Sequence, residues 1–384
     1  MATAVTQQSD LPQIEKLDIV AESVASDSAT VPPSNTTEAD LELPLSATDG
    51  VVSKPFGKPL DSAHPVERPP LTAEQSTKYA TLLERVKAWT EIPTGLAAKS
   101  PKEPLTDGDR MFLTRECLLR YLRATKWHID QAETRLRETL SWRREYGIEK
   151  HTAEYISPEQ ETGKQVITGF DINGRPCLYL FPSRQNTERT PRQIHHLVYD
   201  LERLVDLMPP GQETCALLIN FNETKSGQGA TLSQGRETMY ILQNHYPERL
   251  GRALVTQLPW YIKGFFTLIT PFIDPNTREK IKFNEDMTKH VPAVQLLKEC
   301  GGEVEMKYDH SQYWPALNAL AELKRTAYKE RWVQAGKQIG EHEDYLRGGN
   351  GAKSLLESEN VDADTDADAK PSDVEAEKPA SLDT

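Results

Sequence analysis

The amino-acid sequence predicts an α/β fold, in which a small N-terminal helical bundle precedes a mixed sheet with crossover helices. The first indication is a helical repeat of apolar side chains from residue 106 to residue 147. The second is the alternation of short β-type runs with helix-length amphipathic segments after residue 165. The third is the uninterrupted apolar run at residues 216–221, which is typical of a strand covered on both faces.

The bundle begins with a helix near residue 71, marked by a stripe of apolar side chains at helical spacing. The stripe consists of Tyr79, Leu82, Leu83, Val86 and Trp89. Thr106 with Asp107 can cap the next helix, and Asp130 can cap the one that follows. Gly147 stands where the last of these helices should end.

In the region that follows, Asn173-Gly174 is a hairpin signal between two β-type runs. The expected strands are residues 165–170, 177–181, 216–221, 253–257 and 281–283, and the expected helices are residues 191–208, 232–245, 260–273, 292–302 and 315–335. We expect the last helix either to pack back on the domain or to form an oligomer contact.

The formal net charge of −13 resides in the two ends of the 384-residue chain. Residues 1–50 carry nine acidic side chains and one lysine, and residues 351–384 carry ten acidic side chains and three lysines. The intervening residues 51–350 therefore have a net charge of only +2. Acidic ends and the lack of a basic block argue against a nucleic-acid partner.

The composition of both ends, rich in Ser, Thr, Pro, Ala and acidic residues, predicts disorder because little apolar surface can be buried. We therefore divide the chain into five parts. These are a disordered tail (1–75), the helical bundle (76–148), the α/β domain (149–312), a C-terminal helix (313–347) and a second disordered tail (348–384).

The four cysteines are far apart and form no CxxC pair, so we expect free thiols in a reducing compartment and no metal site. The N-terminus lacks the basic start and apolar core of a signal peptide. No apolar run approaches the roughly 20 residues that a transmembrane helix needs. These features predict a cytoplasmic protein whose membrane contacts are peripheral.

Residues 260–273 are unusually apolar, with five aromatic side chains and one charge, Lys263. The segment is too short to cross a bilayer and more continuous than one amphipathic face requires. Flanked by charged turns, it suits a movable lid over an apolar cavity. An ordinary buried helix of an α/β domain is the alternative.

Polar residues on either side of this segment could bind an anion. Thr277 and Lys280 are three residues apart on a helical turn that begins at Asp274, so they share a face and could converge on one oxyanion. Glu248, next to Arg249, could accept hydrogen bonds from ligand hydroxyls or hold Lys280 as an ion pair. A purely structural salt bridge is the alternative.

The sequence contains none of the catalytic motifs GxSxG, GxxxxGK[ST] and HExxH. The adjacent residues His195 and His196 are interpreted as surface or hydrogen-bonded histidines. Gly227 and Gly229 follow a strand and precede a helix, so they form either a phosphate-cradling turn or a loop that needs glycine. Without a nucleophile–base pair we expect no enzymatic activity, and no cofactor.

Five motifs, LLRYLRATKW, YPERLG, PFIDP, T-x-x-K and CGGE, follow one another within residues 116–314. In order and spacing they resemble the CRAL-TRIO lipid-transfer family, and within it the fungal phosphatidylinositol transfer proteins linked to azole tolerance. The resemblance implies the CRAL-TRIO form of the α/β fold, with a lipid cavity under a gate helix at residues 260–273.

The resemblance also implies a site for the phosphatidylinositol headgroup. Glu248, Thr277 and Lys280 match family positions that help to bind it, and Lys126 matches another basic residue beside it. Thr125 stands where the family often has an arginine that contacts the phosphate, so it can donate one neutral hydrogen bond but brings no charge. The candidate headgroup residues are Glu248, Thr277, Lys280, Lys126, Thr125 and Arg249.

On the gate helix, the candidate cavity residues are Trp260, Phe265, Phe266, Leu268, Ile269 and Phe272. We expect this aromatic segment to insert shallowly into the membrane interface, expose the cavity and close over one lipid.

The leading interpretation is phosphatidylinositol binding and transfer between membranes, with sterol or phosphatidylcholine as a second ligand. Such a protein would be cytoplasmic and peripherally associated with intracellular membranes, for example the endoplasmic reticulum or lipid droplets. One alternative is a lipid-sensing adaptor that presents phosphatidylinositol to a kinase. A second is a hydrolase or phosphatase on a similar scaffold, which would need a nucleophile–base pair in its cleft.

Overall fold

The computed structural model describes residues 37–357, apart from seven side chains. Those side chains belong to Tyr261, Ile262, Phe265, Phe266, Ile269, Phe272 and Asn276. The parts of the predicted tails at residues 1–36 and 358–384 lie outside the described residues.

The helices and strands alternate after the N-terminal third of the chain. The α-helices are α1 Ala73–Lys87, α2 Asp107–Phe112, α3 Arg115–Ala124, α4 Ile129–Tyr146, α5 Ala153–Gln160, α6 Arg192–Leu207, α7 Leu232–His245, α8 Trp260–Ile269, α9 Pro275–Glu279, α10 His310–Gln334 and α11 Glu343–Leu346. The strands are β1 Glu91–Pro93, β2 Lys102–Pro104, β3 Gln165–Phe170, β4 Pro176–Leu180, β5 Cys215–Asn220, β6 Leu250–Thr256 and β7 Ile281–Phe283. The sequence does not predict α5, which contains Pro158, or the short β1–β2 hairpin.

Within the described residues, five strands form one mixed sheet in the order β3-β4-β5-β6-β7. β3 and β4 pair antiparallel through the predicted hairpin, in which Gly174 has a φ of 70° that glycine adopts without a Cβ clash. The other neighbours pair parallel, and α6, α7 and α8–α9 make the crossovers between them. The predicted mixed sheet with crossover helices is therefore confirmed.

The N-terminal bundle packs α1, α3 and α4 around fully buried leucines such as Leu82, Leu118 and Leu136. Thr106 caps α2 as predicted. The predicted cap at Asp130 is wrong, because the N-cap residue of α4 is His128. The Asp130 carboxylate instead accepts a hydrogen bond from Arg85 on α1 (2.6 Å).

The predicted disorder of residues 37–75 and 348–357 is wrong. In the first segment Phe56 is buried in the core of the α/β domain, and Val52 forms a parallel bridge with Met306. In the second, Ser354 is buried and the Leu355 N–H donates to the Glu341 carboxylate (3.1 Å). A few well-placed side chains and backbone bonds fix these segments despite their polar average composition.

The helix predicted at residues 292–302 is also wrong. The segment forms two short 3₁₀ turns, between which Leu296 and Leu297 are buried in extended conformation. The Leu296 carbonyl accepts a hydrogen bond from the Val304 N–H (2.9 Å). Gly302 allows the close return of the chain, since a Cβ there would lie 2.0 Å from the Leu296 carbonyl oxygen. Bonding across the turn prevails over helix propensity.

The long helix α10 packs back on its own chain, which was one of the two alternatives expected for it. Its buried residue Tyr313 accepts a hydrogen bond from the Ile167 N–H on β3 (2.6 Å) and donates to the Ile167 carbonyl (3.0 Å). None of the described helices combines the length and the apolar character that a membrane span requires. The domain boundaries at residues 148 and 312 stay predictions.

Candidate functional site

A cavity of about 1000 Å³ lies against one face of the sheet. Because side chains alternate between the faces of a strand, every second residue of β4, β5 and β6 lines it. The strand residues are Leu178, Leu180, Cys215, Leu217, Ile219, Ala253 and Val255, and apolar residues of the crossover helices α6 and α7 that also line it are Leu197, Leu201, Leu204, Met239 and Leu242. The interior of the cavity is therefore aliphatic.

This cavity corrects the interpretation of residues 216–221 as a strand packed on both faces. Ala216 and Leu218 of β5 are completely buried in the core, whereas Leu217 and Ile219 are only half-buried because they face the cavity. An uninterrupted apolar run is thus compatible with one face against protein and the other against a space that protein does not fill.

Four of the predicted polar residues, Lys126, Glu248, Thr277 and Lys280, line the same cavity. Lys126 lies in the turn between α3 and α4, and Glu248 lies just before β6. Thr277 lies in α9, whose N-cap Asp274 accepts a hydrogen bond from the Thr277 N–H (2.9 Å). Lys280 ends α9, and its carbonyl accepts a hydrogen bond from Ala253 (2.9 Å). Residues from three distant parts of the chain meet at this cavity.

The side chains of these four residues have no protein partner. Within the part of the chain that the structure describes, no ion pair and no side-chain hydrogen bond involves Lys126, Glu248, the Thr277 hydroxyl or Lys280. Neither the Glu248–Lys280 ion pair, which was one of two possible roles for Glu248, nor the alternative of a structural salt bridge is present among the described residues. Two ammonium groups, one hydroxyl and one carboxylate remain available to a ligand.

Lys126 and Glu248 share an unusual backbone conformation. Their φ angles are 51° and 58°, in the left-handed region that costs a non-glycine residue roughly 1–2 kcal/mol. Neither lysine nor glutamate favours this region, so nothing in the local sequence predicts it. Such strain at two cavity-lining residues is typical of sites where side-chain position matters for function.

Thr125 and Arg249 do not take the places expected of headgroup residues. Thr125 is buried outside the cavity, where its hydroxyl donates to the Tyr121 carbonyl (2.9 Å) and closes the end of α3. Arg249 lines the cavity, but its Nη1 donates to the Glu213 carbonyl (3.0 Å) and its Nη2 lies 3.7 Å from the Glu343 carboxylate. Burial and the nearby Arg120 lower the pKa of Arg249.

The predicted gate segment is helical at α8 and continues as a 3₁₀ turn at Thr270–Phe272, so it is not the single helix that was predicted. Trp260 and Leu268 are 83% and 58% exposed, and neither lines the cavity. The side chains of Phe265, Phe266, Ile269 and Phe272 lie outside the described ones, so their assignment to the cavity stays a prediction.

Sequence reasoning missed the strand residues that line the cavity, because it assigned the cavity to the gate helix alone. The alternation of Leu178 with Leu180 and of Leu217 with Ile219 could have identified them once the sheet order was known. Arg123 also lines the cavity, but its Nη2 donates to the Glu213 carboxylate (3.0 Å).

Comparison with known proteins places the chain among relatives of the same architecture. The family model described as CRAL/TRIO domain matches residues 160–302, and that of the CRAL/TRIO N-terminal domain matches residues 78–138. A CRAL-TRIO domain-containing protein of Schizosaccharomyces pombe is 48% identical over 287 residues, which cover 75% of this chain and only 28% of that relative. The chain thus spans little more than a quarter of that protein.

Other relatives are covered more completely. The phosphatidylinositol transfer protein PDR17 of Saccharomyces cerevisiae is 34% identical over 289 residues, which cover 71% of this chain and 83% of that protein. The crystal structure of Sfh5 matches with a TM-score of 0.44 and 14% identity, over 58% of this chain and 84% of that one. With both family models matched in order, and PDR17 matched over most of its length, this chain belongs to the CRAL/TRIO domain family.

Proposed function

We propose that this protein binds phosphatidylinositol in the cavity under α8 and transfers it between membranes. The observation that carries the proposal is an aliphatic cavity whose lining includes two cations, a hydroxyl and a carboxylate without protein partners. A phosphodiester has one negative charge, which Lys126 and Lys280 can neutralise and to which Thr277 can donate. Inositol hydroxyls can donate to Glu248. Thr125 and Arg249 are left out of this arrangement.

The apolar lining suits the acyl chains. Each Å² of apolar surface removed from water contributes roughly 25 cal/mol, but a membrane lipid has already buried its chains in the bilayer. The cavity therefore needs only to bury the acyl chains about as favourably as the bilayer does. The headgroup contacts then determine which lipid is preferred. This balance suits exchange between membranes, because a carrier must release its lipid as well as extract it.

The exposed side chains of α8 support membrane docking at this place. Trp260, Lys263 and Leu268 are exposed and recur at a spacing that puts them on one face of the helix. Tryptophan and lysine are favoured at the membrane interface, and leucine can enter it. We propose transient, peripheral contact of α8 with intracellular membranes, such as the endoplasmic reticulum or lipid droplets, by a protein that is otherwise cytoplasmic.

Sterol or phosphatidylcholine is the second lipid that we propose, occupying the same cavity in exchange for phosphatidylinositol. The support is that the aliphatic walls formed by β4, β5 and α6 select for apolar bulk and not for a particular headgroup. PDR17 is named a phosphatidylinositol transfer protein, and this proposal extends that activity to the present chain.

The test is transfer of labelled phosphatidylinositol from donor to acceptor vesicles by the purified chain, with no other protein present. We expect saturable transfer by the wild type and its loss in Leu217→Trp, which fills the cavity. Binding without transfer would contradict the proposal and favour an adaptor that presents the lipid to a kinase.

A further inference from the structure

A second cavity, of about 1310 Å³, lies between the N-terminal segment, α6 and the C-terminal helices. Residues 38–59 form one wall and residues 323–347 another, and both lie outside the segments that the family models match. The two cavities share Tyr246, Pro247 and Arg249 in their linings. The second cavity is therefore built in part by two segments, residues 38–59 and 323–347, that do not line the lipid cavity.

Three arginines in the lining of this cavity converge on one carboxylate, that of Glu343. Arg120 Nη2 lies 2.6 Å from Glu343 Oε1, whereas Arg249 and Arg347 each lie 3.7 Å from a carboxylate oxygen of Glu343. The side chains of Arg120 and Arg347 are 3% and 6% exposed. A single carboxylate thus faces three guanidinium groups in a largely dry environment.

A second carboxylate, that of Glu213, does not balance the positive charge of this arginine cluster. It pairs with Arg120 (2.9 Å), Arg123 (3.0 Å) and Arg68 (2.7 Å). Within the described residues, five arginines therefore share the carboxylates of Glu213 and Glu343. Because Arg68 is 43% exposed, the excess of positive charge that is largely buried is two. Burying unneutralised charge is costly, so a bound anion would stabilise this cluster.

Two half-buried acidic side chains of the cavity are already paired with arginines, and Glu42, Glu103 and Glu149 in its lining, which are unpaired among the described residues, are exposed to solvent. Glu202 on α6 accepts two hydrogen bonds from Arg143 (2.8 and 2.9 Å), and Asp206 pairs with Arg203 (2.8 Å). Arg347 donates through Nη1 to the carbonyls of Val205 and Met208, but its buried Nε has no hydrogen-bond partner in the described part of the chain. The cavity thus contains a buried donor that no protein acceptor satisfies.

Part of the remaining wall is apolar, which adds a second requirement for the ligand. Leu43, Met208, Leu323, Ala327 and Tyr328 line the cavity beside the arginines. From these contacts we propose that the second cavity binds a small amphipathic anion, whose carboxylate or phosphate group lies against Arg347 and Arg249 and whose apolar body lies against α10. Planar guanidinium groups favour both oxyanions.

Calorimetric titration of the full chain with octanoate, octyl phosphate and octanol, each below its micelle concentration, tests this proposal. The two anions should bind one to one and at least about tenfold more tightly than octanol, a difference of roughly 1.4 kcal/mol. The stronger of the two names the preferred oxyanion. Binding of octanol as tight as that of both anions, or no binding of either anion, would overturn the proposal.

Two matched variants locate the site. Ala327→Trp places an indole in the second cavity without removing a charge, and Leu217→Trp does the same in the lipid cavity. Anion binding should be lost in the first and kept in the second, and Arg347→Gln should weaken it at least about tenfold. The opposite pattern would assign the ligand to the lipid cavity. Ala327→Trp leaves every arginine pair in place. It therefore still tests the proposal if Arg347→Gln misfolds.

Discussion

Lys280→Ala is the substitution that tests the headgroup assignment most closely. The Lys280 ammonium group has no partner among the described residues and is half-buried at the lipid cavity. A charge-assisted hydrogen bond contributes roughly 1.5–3 kcal/mol, and partial exposure favours the lower end. Removing it should weaken phosphatidylinositol binding about tenfold, since 1.4 kcal/mol is a factor of ten. Sterol has no phosphate, so its binding should not change.

The assay is equilibrium partition of labelled phosphatidylinositol and of labelled sterol between protein and vesicles. Lys282→Ala is the matched control, because Lys282 is exposed on the neighbouring strand β7 and does not line the cavity. Both variants should unfold within about 0.5 kcal/mol of the wild type, as substitutions away from internal contacts do. Equal losses in both variants, or unchanged phosphatidylinositol binding in Lys280→Ala, would refute the assignment.

Three further predictions concern the membrane face, the acid stability and the N-terminal segment. Trp260→Asp with Leu268→Asp should abolish vesicle binding in a flotation assay while leaving the unfolding midpoint unchanged; undiminished flotation would remove α8 from the docking account. Burial raises the pKa of Glu202, but the attraction of Arg143 outweighs burial and lowers the pKa to about 2. The ionised Glu202 therefore contributes about 3 kcal/mol to the free energy of unfolding. This contribution is present above pH 4.5 and is lost as the pH falls through about 2. Acid titration of Glu202→Gln should lack this loss, and identical curves would contradict the pairing. Phe56→Ala should lower the free energy of unfolding by roughly 3–5 kcal/mol, as measured by urea unfolding, and no change would mean that residues 37–72 do not pack on the core.

The sequence predicts most of the elements because their signals are local. The hairpin at Asn173-Gly174 and the cap at Thr106 depend on residue types whose backbone preferences act within a few positions. The mixed sheet follows from the alternation of strand and helix signals along the chain.

What the sequence does not predict depends on contacts between distant residues. Phe56 lies in a polar segment, and only the core of the α/β domain explains its burial. Residues 292–302 have the composition of a helix but bond across a turn to Val304. The missed elements and the corrected ones thus share a non-local cause.

The candidate site divides in the same way. Residue type and spacing indicate Thr277 and Lys280, because an i, i+3 pair shares a face. Nothing in the local sequence indicates that Lys126 and Glu248 adopt left-handed backbone conformations beside the same cavity. Nor does it indicate that the Thr125 hydroxyl donates a hydrogen bond to the Tyr121 carbonyl at the end of α3. The family resemblance identifies Lys126 and Glu248 as candidate headgroup residues, and only the structure shows that Thr125 lies outside the cavity.

The most direct test of the central claim is mass spectrometry of the lipids that the chain retains after incubation with mixed vesicles. The vesicles would contain phosphatidylinositol, phosphatidylcholine and sterol, and Leu217→Trp would be treated in parallel. The account predicts that the wild type retains phosphatidylinositol together with one of the other two lipids, and that the variant retains neither. Retention of no lipid by the wild type, or equal retention by Leu217→Trp, would contradict it.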